Sequence, residues 1–107
     1  MGCLCEKFSD FAQALRHASD TAYKSLAEPV EGTILTVIRE ASEMAFQVAK
    51  KGADLKQTLN AAATQAKNTV KNTPEMLPAL KEAGVVDAGG KGLFYVFQGM
   101  KRCLTSR

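Results

Sequence analysis

Apolar side chains along this chain recur three, four and seven positions apart, the spacing that gathers them on one face of an α-helix. Phe8, Phe11, Leu15, Ala18, Ala22 and Leu26 form the first such stripe, and Pro29 ends or interrupts the helix that carries it. Ile34, Val37, Ile38, Ala41, Ala45 and Val48 mark a second helix. It should stop near Gly52, since glycine freely takes the left-handed conformation that closes a helix. Asp54 is placed to cap a third helix, Gln57 to return the bond, and Leu55, Leu59, Ala62, Ala63, Ala66 and Val70 to form its buried stripe.

Thr73-Pro74-Glu75 reads as the start of a fourth helix: a hydroxyl at the cap, a proline whose absent N–H costs nothing there, and an acid at the positive end. That helix runs to Gly84 and is bent or shortened by Pro78. Gly89, Gly90 and Gly92 then punctuate a loop, and Leu93, Val96, Phe97, Met100 and Leu104 give a last helix. No segment alternates apolar with polar as a half-buried strand would. The expected fold is therefore all-α, an antiparallel bundle of helices joined by short connections in a single domain over 1–107.

Composition agrees with a folded domain, with 46% hydrophobic and 23% charged residues. The net charge of +3, from 14 basic and 11 acidic residues, is spread along the helices, so nucleic acid is not an expected partner. No run approaches the roughly 18 apolar residues of a membrane span, and no secretory leader is recognisable, so a cytoplasmic protein is expected. Cys3, Cys5 and Cys103 are odd in number and stand at the two ends, which suits free thiols in a reducing compartment. With His17 they could count to four zinc ligands, but a lone C-x-C pair is poor zinc spacing. The opening Met-Gly-Cys is similar to an acylated N-terminus, yet Glu6 occupies the position where that pattern wants Ser or Thr.

Two short stretches could carry chemistry. In EPVEGT, Glu28 to Thr33, a proline, a glycine and a threonine precede an apolar helix, so N–H groups and a hydroxyl would collect at a helix N-terminus, where anions bind. Simple capping by Thr33 explains the same residues. In GVVDAGGKG, Gly84 to Gly92, three glycines allow close backbone approach, Asp87 could meet a ribose hydroxyl or a metal, and Lys91 could meet phosphate. A helix-to-helix turn with glycines at positive φ is the alternative. Neither a Walker A nor a Rossmann spacing is present. His17 stands alone, Phe94, Tyr95 and Phe97 read as core or adenine-facing rings, and no Ser-His-Asp or Cys-His arrangement can be assembled. No catalytic residue and no metal ligand are assigned.

The runs ASDTAYKSLAEPVEGTILTVIREASEMA and NTPEMLPALKEAGVVDAGGKGL resemble the dihydroxyacetone kinase L-type family, closest to the N-terminal kinase domain of the bacterial fatty acid kinases. The likeness extends from about Phe8 to Met100. It implies a barrel of antiparallel amphipathic helices with ATP or ADP and magnesium at one end. By the same resemblance Gly32, Thr33 and Ile34 match the segment beside the adenine. Asp87, Ala88 and Gly89 match an Asp-x-Gly turn that approaches the nucleotide from the other side, continued by Gly90 and Lys91.

Family members carry, upstream of these motifs, a D-G-D-T-G-T-N stretch that holds magnesium and a G-N-S-G loop that cradles phosphate. Neither occurs in these 107 residues. The expectation is thus the C-terminal half of the domain, inactive by itself, with magnesium ligands coming from an N-terminal half. Expected partners are that half or a second copy of the chain, and a separate protein presenting the substrate, an acyl carboxylate or dihydroxyacetone. The rival expectation is a non-catalytic helical interaction module.

Overall fold

A computed structural model describes the backbone of residues 4–105 and the side chains of 10–104. Cys3 and the side chains of Cys5, Glu6 and Phe8 lie outside the described residues, and with them the zinc and acylation readings. Five helices follow one another: α1 (Leu4–Lys24), α2 (Ile34–Lys50), α3 (Leu55–Met76), α4 (Pro78–Ala83) and α5 (Ala88–Thr105). Among the described residues there is no strand, in agreement with the all-α expectation.

The starts of α2 and α3 and the end of α2 fall where local chemistry puts them. Thr33 caps α2 in extended conformation, its hydroxyl accepting from the Leu35 N–H, and Gly52 at φ 94° closes it. Asp54 and Gln57 form the reciprocal capping box on α3, with bonds of 2.8 and 3.0 Å. The first helix ends already at Lys24, ahead of Pro29. Among its described side chains Ala12 and Ser19 are buried, whereas Ala18 and, beyond its end, Leu26 of the expected stripe are exposed.

Two elements differ from expectation. The third helix runs straight through Thr73-Pro74-Glu75 to Met76, so these residues start nothing. Proline 74 removes the N–H that Val70 O would accept, but the Thr73 hydroxyl donates to that same carbonyl at 2.7 Å and the helix continues. The short α4 begins instead at Pro78, in its first turn, and ends at Gly84 with φ 70°. The second difference is that α5 begins at Ala88 and takes Gly89, Gly90 and Gly92 into its first turns, none of them at positive φ. Gly89, Gly90 and Gly92 thus form neither a loop nor a positive-φ turn; within Gly84–Gly92 only Gly84, which closes α4 in the helix-to-helix turn, takes positive φ. Asp87 opens α5 instead, its Oδ2 accepting from the Gly90 N–H at 2.8 Å and its carbonyl from Lys91 at 3.0 Å, as an N-cap does.

Side-chain pairs fix the directions of the helices. Tyr23 meets Arg39 and Arg16 lies over Phe46, so α1 and α2 are antiparallel. Thr69 donates to Glu40, and Thr73 accepts from the backbone of Asp87, so α2/α3 and α3/α5 are antiparallel as well. It follows that α2 and α5, both packed on α3, run parallel, with their N-termini at the same end. The described chain measures 49 × 31 × 19 Å, the shortest extent being about two helix diameters. Its core is mostly alanine (Ala12, Ala41, Ala45, Ala62, Ala63, Ala66) around Val37, Val70 and Phe97, which lets the backbones approach closely. On α5 that core takes Phe97, while Val96 and Met100, expected in the stripe, face outward at 56% and 39% exposure.

Candidate functional site

The two stretches singled out in the sequence meet at the shared end of α2 and α5. A Cβ built on Gly90 would lie 2.7 Å from Val37 Cγ2, and one on Gly89 would lie 3.5 Å from Ile34 Cβ. At Gly90 only glycine allows α5 to approach α2 this closely, whereas at Gly89 the distance is ordinary contact. Ile34 is 42% exposed, so it covers the first turn of α5 and is not core.

Gly32 turns the chain into α2 at φ 87° and is buried against the end of α3, where an added Cβ would meet Leu77 Cβ at 2.8 Å. Its N–H donates to the Thr36 hydroxyl at 2.8 Å, and Thr36 donates in turn to Glu31. Glu31 also accepts from Arg39 at 2.9 Å and from the Tyr23 hydroxyl at 2.9 Å. Burial pushes the Glu31 carboxyl up, but the hydrogen bonds from Thr36, Arg39 and Tyr23 and the Arg39 charge outweigh it, so its pKa falls below the ordinary value. The same contacts hold the Arg39 guanidinium firmly charged. Thr33 is half-buried and donates to Val30 O at 2.7 Å while capping α2.

On the other side, the Asp87 N–H donates to Thr73 Oγ1 at 3.1 Å, tying the start of α5 to the far end of α3. Thr73 is fully buried and uses its hydroxyl twice, as donor to Val70 and acceptor from Asp87. Ala88, Gly89 and Lys91 are exposed, and Gly90 is buried. The first-turn N–H groups of Ile34, Ala88 and Gly89 precede any helical carbonyl that could accept them. Two parallel helices thus present their positive ends side by side, an arrangement that favours an anion.

The sequence matches the DAK2 domain over residues 5–102. This chain belongs to the DAK2 domain family. Protein YloV of Bacillus subtilis is 48% identical over 90 residues, covering 84% of this chain and 16% of that protein. An uncharacterised protein of Staphylococcus saprophyticus is 46% identical over 94 residues, covering 88% of this chain and 17% of its own length. A third, uncharacterised protein of Staphylococcus haemolyticus is 42% identical over 96 residues, again 17% of its length. The chain therefore spans about a sixth of the relatives it matches.

Within the DAK2 domain the sequence had pointed to Gly32, Thr33, Ile34, Asp87, Ala88, Gly89 and Gly90, and the fold brings all seven to one end. It missed Thr73 and Val37, whose roles depend on which helix lies opposite. No three His, Cys, Asp or Glu side chains among the described residues converge to hold a metal ion. Asp87 is already occupied as a cap. The magnesium implied by the dihydroxyacetone kinase resemblance does not fit this donor set. His17 is exposed on α1, beside Arg16 and Asp20. Cys103 is exposed and not in a disulfide.

Proposed function

We propose that this chain forms one wall of a nucleotide site in a phosphotransferase of the dihydroxyacetone and fatty acid kinase family. The observation that carries the reading is the convergence of two helix N-termini, Gly32-Thr33-Ile34 on one and Asp87 to Gly90 on the other. Exposed Ile34 offers an apolar surface for the adenine. The N–H groups of Ala88 and Gly89 form the positive end of α5, where a phosphate oxygen would accept their hydrogen bonds without a side-chain charge. Magnesium would neutralise charge on the phosphates and would have to be held by carboxylates outside these residues. The acceptor is an acyl carboxylate presented by a partner protein, whose oxygen takes the γ-phosphoryl group to give an acyl phosphate and ADP. Dihydroxyacetone is the other acceptor class in the family. We place this activity in the cytoplasm. The outward Val96 and Met100 on α5 support completion by an N-terminal half or a second copy of the chain.

One observation favours a second reading, a helical interaction module without chemistry: Gly32, Thr33, Asp87 and Gly90 each already have a structural task. Calorimetric titration of Mg-ATP into the chain, alone and mixed with a fragment carrying the aspartate-rich stretch, separates the two. The kinase reading expects binding and turnover in the mixture. Silence in the mixture leaves the interaction module.

A further inference from the structure

From the start of α5 and along its length, Lys67 and Lys71 of α3 face Lys91 and Lys101 of α5 across the groove between the two helices. The groove comprises two adjoining clefts of about 300 and 310 Å³ that share Lys67, Lys71 and Phe94. No acidic side chain lines either cleft. Residues 55–74 and 88–107 contain no Asp or Glu at all, so the basic character persists along both walls. Among the described residues, Lys67, Lys71 and Lys91 have no carboxylate partner. The floor of the second cleft is apolar, built from Val70, Val86, Phe94 and Tyr95. Four of the 14 basic residues, scattered in the sequence, are thus gathered by the fold along one groove.

We propose that the α3–α5 groove docks an acidic amphipathic helix of a partner protein, with one apolar side chain seated between Val70, Val86 and Phe94 and carboxylates meeting the lysines. Charge complementarity and the apolar floor argue together for this occupant. A cleft of this size is at the small end for a ligand pocket and suits a single anchoring side chain. Single-stranded nucleic acid stacks successive bases on rings, and here Tyr95 is the one largely exposed ring of the groove, at 53%. A membrane surface would meet a convex apolar face, whereas these lysines rim a concavity. The proposal does not rest on the nucleotide reading.

The test uses a fluorescein-labelled helical peptide of about 16 residues, with one central Leu and Glu at the positions three and four residues to either side. Fluorescence anisotropy should show binding that weakens with salt. Lys67→Glu with Lys71→Glu should weaken it at least about tenfold, as should Leu→Ala in the peptide, while Lys56→Glu, elsewhere on α3, should not. Both lysines are exposed, and circular dichroism verifies that the variants fold; Lys67→Gln with Lys71→Gln should give an intermediate loss. The proposal is overturned if the peptide does not bind, or if binding survives the charge reversal. Tighter capture of an oligothymidylate, phosphatidylglycerol vesicles or Mg-ATP by the same lysines overturns it as well.

Discussion

Gly90 of α5 stands so close to Val37 of α2 that a methyl group on it would lie 2.7 Å from Val37 Cγ2. That contact sets the spacing of the two parallel helices, and with it the distance between the stretches that bear Ile34 and Gly89. Replacing Gly90 by Ala should therefore cost about 1–3 kcal/mol through overpacking, although Ala is the better helix former. Gly99, in the same helix with nothing within 4 Å of an added Cβ, provides the control. Gly99→Ala should stabilise by about 0.5–1 kcal/mol. Urea unfolding of the two variants checks the contrast, and equal shifts would mean that α5 does not press on α2.

Thr73 repairs the break that Pro74 makes in α3. Thr73→Val removes both of its hydrogen bonds in a fully buried position, leaving the Asp87 N–H without its acceptor, and should cost about 2–3 kcal/mol. Pro74→Ala restores an N–H able to reach Val70 O. In the Thr73→Val background it should recover about 1 kcal/mol more than in the native chain. A double-mutant cycle measured by denaturant unfolding reads this coupling; additive effects would show that Val70 O is not shared between the two residues.

Those two residues also show what was legible in the sequence. Thr33, Gly52 and the Asp54–Gln57 pair act within a few residues of themselves, and the elements they bound are where the pattern puts them. Thr73-Pro74-Glu75 has the same local signature as a helix start, but Thr73 spends its hydroxyl on Val70 and on Asp87, which lies fourteen positions along the chain. Asp87 followed by Gly90 was a readable cap signal, obscured by the glycines around it. Ile34 and Gly89 were singled out separately. Their meeting depends on α2 and α5 both packing on α3, which no spacing along the chain encodes. Lys67 and Lys71 stand one helical turn apart on α3, but their facing Lys91 of α5 depends on how the two helices pack, and the charge reads as spread along the chain.

The Tyr23–Glu31–Arg39 cluster should give the protein an acid-sensitive component of stability. The Glu31 carboxyl titrates below its ordinary value when folded, so its contribution is present above the ordinary carboxylate pKa and is lost as pH falls through the folded one. Glu31 and Arg39 side chains are 49% and 38% exposed, so solvent screens the pair, and the effect should be about 0.2–1 kcal/mol. Glu31→Gln should flatten the decline in unfolding free energy on the acid side. An acid slope identical to that of the native chain would assign the sensitivity to other carboxylates.

Thr58 is fully buried at the start of α3, and its hydroxyl has no hydrogen-bond partner. A buried polar group left unpaired costs about 1–3 kcal/mol. Thr58→Val keeps the shape and removes the hydroxyl, so thermal unfolding should move upward, by about 1 kcal/mol in stability. A loss of stability would mean that a water or a backbone carbonyl satisfies this hydroxyl in solution.

Gly89 offers the sharpest separation between folding and ligand binding. An added Cβ there would sit 3.4 Å from Asp87 Oδ2 and 3.5 Å from Ile34 Cβ, ordinary packing distances, and its φ is not positive. Gly89→Ala should therefore fold with stability within about 0.5 kcal/mol of the native chain. Under the proposed function the new methyl stands between Ile34 and the first turn of α5, where the nucleotide would approach. In the protein completed by the aspartate-rich stretch, affinity for Mg-ATP should drop about tenfold or more. Calorimetry on the complemented variant, together with its urea midpoint, decides the matter. An unchanged affinity in a normally folded variant would remove Gly89 from the site and leave the close approach of α5 to α2 as a packing device alone.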